Sequence, residues 1–187
     1  QKKVLENLRE VSCDKPLPSP LHEKSLDLLY DYLVVGGMPA AVEEYRNSRS
    51  FLSVKREHEI LLTTLKEDFR KYATVGETKH LKAVWDLAPY KIGQRVKYSE
   101  FGEYRSNAIS QAFDILHEAM LLERISPTSR VKPPLIKKEK SAPKILGLDI
   151  GLSISQLGLT KDQLKGKLLA SDREGGIWEA FVGQEIQ

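Results

Sequence analysis

The first 90 residues carry apolar side chains at the spacing of amphipathic α-helices. Within residues 22–35 such positions recur every three or four residues, and a longer stripe among charged residues runs through 51–72. A third helix is expected over 79–87, where Pro89 stops it because the residue before a proline avoids the helical region. The first stripe consists of Leu26, Leu29, Tyr30 and Leu33.

The stretch GGMPAAVEEYR, residues 36–46, predicts a tight corner between two helices. Gly36 and Gly37 supply the backbone freedom that often ends a helix. Pro39 suits the first turn of the next helix, over 39–46, because its missing N–H needs no partner there. We therefore expect Gly36, Gly37 and Pro39 to have a structural role and to bind no ligand.

Residues 97–126 follow a helix, turn, helix pattern that leads into a strand. The second helix has one apolar face, and MLLERIS after it is predicted to be a strand. Its partner strand is expected at residues 145–149, across a proline-interrupted loop. Two helices followed by a hairpin are the plan of a winged helix. With a closing helix over about 176–186, the predicted fold class is mainly α with a small β component.

The composition fits a folded protein in a reducing compartment. Of the 187 residues, 41% are hydrophobic, enough for a packed core, and the net charge is only +3. The single cysteine, Cys13, has no partner for an intramolecular disulfide. No apolar run approaches the ~20 residues that cross a bilayer, so we expect a cytoplasmic location and no membrane partner. The missing initial Met favours a chain excised from a longer protein.

The loop between the two predicted strands is the clearest charged feature of the sequence. Between residues 130 and 144, six basic residues accompany a single acid, Glu139. Lysines on such a wing can neutralise DNA phosphates without reading the base sequence. A solvated lysine-rich loop is the alternative interpretation. The six are Arg130, Lys132, Lys137, Lys138, Lys140 and Lys144, of which Lys137, Lys138 and Lys140 are the candidate DNA contacts.

The exposed face of the second helix in 97–126 is the other candidate DNA contact. Polar side chains near its start can bond to phosphates or base edges. Asp114 and Glu118 lie further along and would repel phosphate, so a protein-docking face or plain solvation is an equal interpretation. The candidate contacts are Arg105, Asn107, Ser110 and Gln111.

Motifs for several kinds of catalytic site are missing from the sequence. It has no GxxxxGK[ST] phosphate loop, no GxSxG nucleophile turn and no i, i+4 histidine pair for zinc. Asp149 after a strand and Glu179 in the closing helix could together hold magnesium, as in nucleases, but such sites need further carboxylates. Capping and surface roles are favoured for both acids, and no metal is expected.

Several segments, taken in order, resemble a known family. They include YDYLVVGGMPAAVEEY (30–45), LKEDFRKYA (65–73), LGLDIGL (146–152) and GGIWEAFVGQEI (175–186), with KYSEF and YRSNAISQAFDILHEAMLLERI between them. Together they resemble the C-terminal region, of unknown function, of predicted bacterial and archaeal AAA-type ATPases. The similarity runs from about His22 to the end of the chain.

The resemblance implies a parent protein with an N-terminal ATPase that uses ATP and magnesium, while this chain holds no cofactor of its own. Residues 1–21 would be the exit from the ATPase, 22–96 a helical connector and 97–143 a winged-helix-like module. Residues 144–187 would begin a truncated nuclease-like α/β domain. The remaining site residues of that domain would lie beyond Gln187, so the apolar closing helix is expected to lack its packing partner.

By the same resemblance, Asp149 and Glu179 match carboxylates of the nuclease-like domain and would be vestigial here. The leading hypothesis is therefore a non-catalytic, DNA-associated accessory region of an AAA-type ATPase. The second is a protein-interaction module that couples ATP turnover to a partner. The third is part of a metal-dependent nuclease whose site is incomplete in this chain. No enzyme activity is expected of this chain alone.

Overall fold

The computed structural model describes residues 8–9, 11–12, 14, 16–129, 132–134, 136, 141–166 and 171–186. The described part is mainly helical with a small antiparallel sheet, which confirms the predicted fold class. No helix in these ranges is long and apolar enough to cross a membrane. The helices are α1 (Ser19–Val35), α2 (Pro39–Ser48), α3 (Phe51–Tyr72), α4 (Val75–Leu87), α5 (Ser106–Glu118), α6 (Ile150–Gln156), α7 (Lys161–Lys165) and α8 (Ser171–Glu185), and the strands are β1 (Leu122–Ile125) and β2 (Lys144–Gly147).

The helix bounds follow local capping signals. Ser50 starts α3 because its side chain accepts a hydrogen bond from the Ser53 N–H at 3.3 Å. The predicted helix over 79–87 begins earlier, at Val75, because Thr74 and Glu77 form a reciprocal capping box. In that box the Thr74 N–H donates to Glu77 Oε2 at 2.9 Å.

The sheet consists of the predicted hairpin, with a shift in its second strand. β1 and β2 pair antiparallel, with Leu122 opposite Gly147 and Ile125 opposite Lys144. The second strand was expected over residues 145–149, but it ends at Gly147. It ends there because Asp149 caps α6, accepting a hydrogen bond from the Leu152 N–H at 2.9 Å.

Two 3-10 turns complete this part of the fold, one of them in place of the first helix predicted within 97–126, and the winged-helix plan stays a prediction. A 3-10 turn, Ala88–Lys91, follows α4, and the next segment pairs with β2 through an isolated bridge between Arg95 and Lys144. A second 3-10 turn, Tyr98–Glu100, leads into α5 and the hairpin. β2 therefore lies in residues 144–187 while its partners lie in 22–96 and 97–143, so the sheet joins all three predicted segments.

β2 also joins two hydrophobic cores, because successive side chains of a strand point to opposite faces. Ile145 belongs to a core formed mainly by α4, α5 and β1, and Leu146 to a second core formed by α1, α6, α7 and α8. The second core contains Ile177 and Ala180 of α8. The expectation that α8 lacks a packing partner is thus wrong for this side, while Val182 and Ile186 are 52% and 79% exposed. The two cores are centred on Leu81, Trp85, Phe101, Ile109 and Phe113, and on Leu33, Leu146, Ile150, Ile154 and Ile177.

The predicted helix corner at Gly36–Pro39 exists and lies against the start of α6. Gly36 ends α1 with a φ of 70°, and Pro39 is the first residue of α2. The Gly37 N–H donates to Asp149 Oδ2 at 2.7 Å. A methyl group added at Gly36 would lie 2.2 Å from Asp149 Oδ1, and one at Gly151 would lie 2.6 Å from the Gly36 nitrogen. A side chain at either glycine would therefore overlap the Asp149 carboxylate or the facing backbone.

His58 of α3 also contacts the corner, through a hydrogen bond at the end of α1. Its side chain is 1% exposed, and its Nε2–H donates to the Val35 carbonyl at the end of α1, at 3.1 Å. A carbonyl only accepts hydrogen bonds, so the neutral ring carries its proton on Nε2. Burial lowers the pKa of His58 below its ordinary value of 6.5, although the Val35 carbonyl and Asp149 partly oppose this effect. Near neutral pH the corner therefore contains a neutral histidine.

Two glycines with a positive φ test the close approach at the corner, where Gly36 also has a ψ of −165°. Gly36 and Gly158 have φ of 70° and 67°, but a methyl group at Gly158 meets no atom within 4 Å. We expect Gly158→Ala to lower the free energy of unfolding by about 1 kcal/mol, the strain of a left-handed residue. Gly36→Ala should cost at least about 3 kcal/mol, because its φ and ψ lie in a region that is essentially restricted to glycine and the corner must also move. Urea unfolding measures both, and equal losses would contradict the close approach.

Two substitutions at Asp149 test how much its hydrogen bonds contribute to the stability of the fold. Asp149→Ala removes the acceptor of two backbone N–H groups in a site where the residue is 8% exposed. We expect a loss of about 3 kcal/mol in the free energy of unfolding, because hydrogen bonds to charged groups are the stronger kind. Asp149→Asn keeps one acceptor oxygen and should lose about half as much. Thermal or urea unfolding showing no loss for Asp149→Ala would contradict this role.

Candidate nucleic-acid interface

α5 presents a polar face near its start, opposite the face that it buries in the core. Arg105, Asn107 and Gln111 are exposed and Ser110 is half-buried. The structure thus brings the predicted side chains together on one surface, the α5 face, defined by Arg105, Asn107 and Gln111. The buried side of α5 consists of Ile109, Ala112, Phe113 and Leu116.

The start of α5 is free to attract an anion. Arg105 occupies the N-cap position, and no side chain caps the first turn. The first backbone N–H groups of a helix and its dipole favour negative charge. Among the described residues, no hydrogen bond or ion pair to the Arg105 guanidinium is found. A phosphate here would thus meet a cation and helical N–H groups together.

Lys79 of α4 extends this basic surface and was not predicted from the sequence. Its Nζ lies 5.8 Å from the centre of the Tyr104 ring, and the His80 ring packs edge-on against the same ring at 4.8 Å. Tyr104 directly precedes Arg105, so packing of α4 on α5 brings Lys79 to the start of α5. No local signal reveals this, because 26 positions separate Lys79 from Arg105 in the sequence.

The acidic half of α5 is partly neutralised within the fold. Asp114 forms an ion pair with Arg124 of β1, whose guanidinium also donates to the Tyr98 hydroxyl at 3.2 Å. Sequence reasoning counted Asp114 as a repulsive charge, but its partner reduces that repulsion. Glu118 is exposed at the far end of the helix.

The wing is described only in part. Lys137, Lys138 and Lys140, together with Arg130, lie outside the described residues, so their DNA contacts stay predictions. Lys132 is exposed. Lys144, at the start of β2, forms an ion pair with Glu179 of α8. That pairing makes Lys144 less available for a phosphate than the exposed Lys132.

Each of the two carboxylates matched to a nuclease has a partner within the chain. Asp149 accepts from two backbone N–H groups, as described above, and Glu179 pairs with Lys144 while its side chain is 50% exposed. Among the described residues, no three His, Cys, Asp or Glu side chains are grouped so that they could hold a metal ion. Their vestigial nuclease role stays a prediction.

Comparison with known proteins identifies the family of this chain, and the description of that family names no function. The model of a domain of unknown function, DUF8612, matches residues 26–163, which is more than half of the chain. Comparison with curated proteins and with solved structures gives no match. The matched range includes the corner, both 3-10 turns, the α5 face, the hairpin and Asp149. The chain therefore belongs to the DUF8612 family.

Proposed function

We propose that this chain is a non-catalytic accessory region that binds double-stranded DNA through the α5 face. The observation that carries the proposal is the exposed Arg105 at the uncapped start of α5, with Lys79 over the ring of the preceding Tyr104. In helix-turn-helix proteins the second helix enters the major groove with its first residues toward the bases. α5 follows a short helical turn in the same order.

Within this proposal the contacts divide into two kinds. Arg105, Lys79 and the helix start are suited to phosphates, which position a protein on DNA and make affinity depend on salt. Asn107 and Gln111 lie one turn apart and are suited to base edges, since amide side chains pair with adenine in the major groove. The wing lysines Lys137, Lys138 and Lys140 would add phosphate contacts beside the helix.

The parent protein proposed for this region is an AAA-type ATPase, as the sequence resemblance implies. ATP and magnesium would then bind in that ATPase and not in this chain. This association is separate from DNA binding, which the α5 face would support in any parent protein.

A protein-interaction module is the second candidate. Leu52 and Ile60 of α3 are 63% and 61% exposed, which is high for large aliphatic side chains in a helix that also contributes to the core. A partner that covers them would bury this apolar surface. Glu118 on the exposed side of α5 would add an acidic contact. Absence of duplex binding at low salt would favour this candidate.

The α5 face is tested by charge reversal with a matched control. We expect Arg105→Glu to weaken binding of a labelled random-sequence duplex about tenfold at about 50 mM salt, because a phosphate contact becomes repulsive. Arg56→Glu changes the net charge equally on the exposed side of α3 and should leave affinity within about twofold. Fluorescence anisotropy gives both affinities. Equal effects would show that only net charge matters.

The wing is tested by the salt dependence of the same binding. Replacing Lys137, Lys138 and Lys140 with alanine should reduce the slope of log affinity against log salt by about 3, since each phosphate contact contributes about 0.9. The loss should be similar for duplexes of different sequence. An unchanged slope would remove the wing from the interface and leave the α5 face to be judged alone.

A further inference from the structure

A groove separate from the α5 face lies between the start of α3 and the turn that joins α6 to α7. Its volume is about 430 Å³, within the range of about 300–1,000 Å³ typical of small-molecule sites. Ile154 and Val54 are buried in its wall, whereas Leu52 is exposed at its rim. The apolar residues that line it are Val34, Phe51, Leu52, Val54, Ile154 and Leu159.

Two lysines line the groove, but only one is available to a ligand. Lys161 already pairs with Asp31 and with Asp27, at 2.9 Å in the second case, and its Nζ lies 5.7 Å from the centre of the Phe51 ring. The ion-pair partner of Lys55 among the described residues is Glu59, at 3.8 Å, and the Lys55 side chain is 53% exposed. Such an exposed pair is weak. Lys55 can therefore leave Glu59 and pair with a bound anion.

The wall of the groove also contains a polar group without a protein partner. Ser155 lines the groove, and its Oγ is buried with no hydrogen-bond partner among the described residues. A buried hydroxyl in this state gains stability when a bound molecule supplies an acceptor. His58, also in the lining, uses its Nε2–H on the Val35 carbonyl. Because the Ser155 Oγ is buried, Lys55 is the donor exposed at the groove.

We propose that this groove binds a small apolar carboxylic acid, with the hydrocarbon part on the apolar lining and the carboxylate at Lys55. A carboxylate has acceptors only, which matches the ammonium donor of Lys55. Asp162 also lines the groove, is exposed and disfavours a second negative charge, so a monocarboxylate fits better than a dicarboxylate. The proposal does not depend on DNA binding.

Octanoate is the probe for this site, and amide NMR shifts of the full chain are the readout. We expect saturable shifts at Gly158, Leu159 and Thr160 with millimolar affinity, as a ligand of this size allows. Shortening the probe should weaken binding about fourfold for each methylene removed, because each buried methylene contributes to transfer from water. Shifts spread over α5 and β1, away from the groove, would overturn the proposal.

The charge of the ligand is tested with two lysine variants of α3 and two matched probes. Lys55→Glu should weaken octanoate about fivefold or more and leave 1-octanol unchanged. Lys71→Glu changes the same charge at the far end of α3, beside Asp68, and should change neither affinity. Lys55→Arg should restore octanoate binding. Octylamine binding as tightly as octanoate, or equal effects of Lys55→Glu and Lys71→Glu, would overturn the proposal.

Discussion

The contact between the Gly36–Pro39 corner and Asp149 is the constraint on which the arrangement of helices depends. The Asp149 carboxylate accepts one hydrogen bond from the Gly37 N–H in the corner and another from the Leu152 N–H in the first turn of α6. It therefore holds the corner against the start of α6. The backbones approach so closely that Gly36 and Gly151 have no room for a side chain. His58 donates to the last carbonyl of α1 from a third helix. This junction sets how α1, α3 and α6 cross.

β2 connects this junction to both hydrophobic cores. It ends two residues before Asp149, and its adjacent residues Ile145 and Leu146 enter different cores. A shift of β2 by one residue would exchange the two faces and place each side chain in the wrong core. The position of Asp149 at the corner therefore also fixes the register of the hairpin, and with it the placement of α5. The α5 face is thus coupled to the corner through β2.

The α5 face owes its charge to tertiary packing more than to its own sequence. Asp114, which counts against DNA in the sequence, is paired with Arg124, and Lys79 reaches the start of α5 from another helix. The same packing leaves Lys55 beside a groove that α3 forms with α6 and α7. Both proposed sites therefore lie where separate helices meet. The ligands proposed for them differ in kind, since one is a polyanion and the other a small apolar acid.

The sequence by itself determined the elements whose signals are local. The bounds of α3, the start of α2 at Pro39 and the hairpin after α5 all follow from periodicity, caps and proline within a few residues. Tertiary structure decided the rest: Asp149 bonds to Gly37, 112 positions away, and α8 packs against α1 and β2. Such contacts leave no local pattern, because burial and hydrogen bonding between distant segments arise only when the chain has folded.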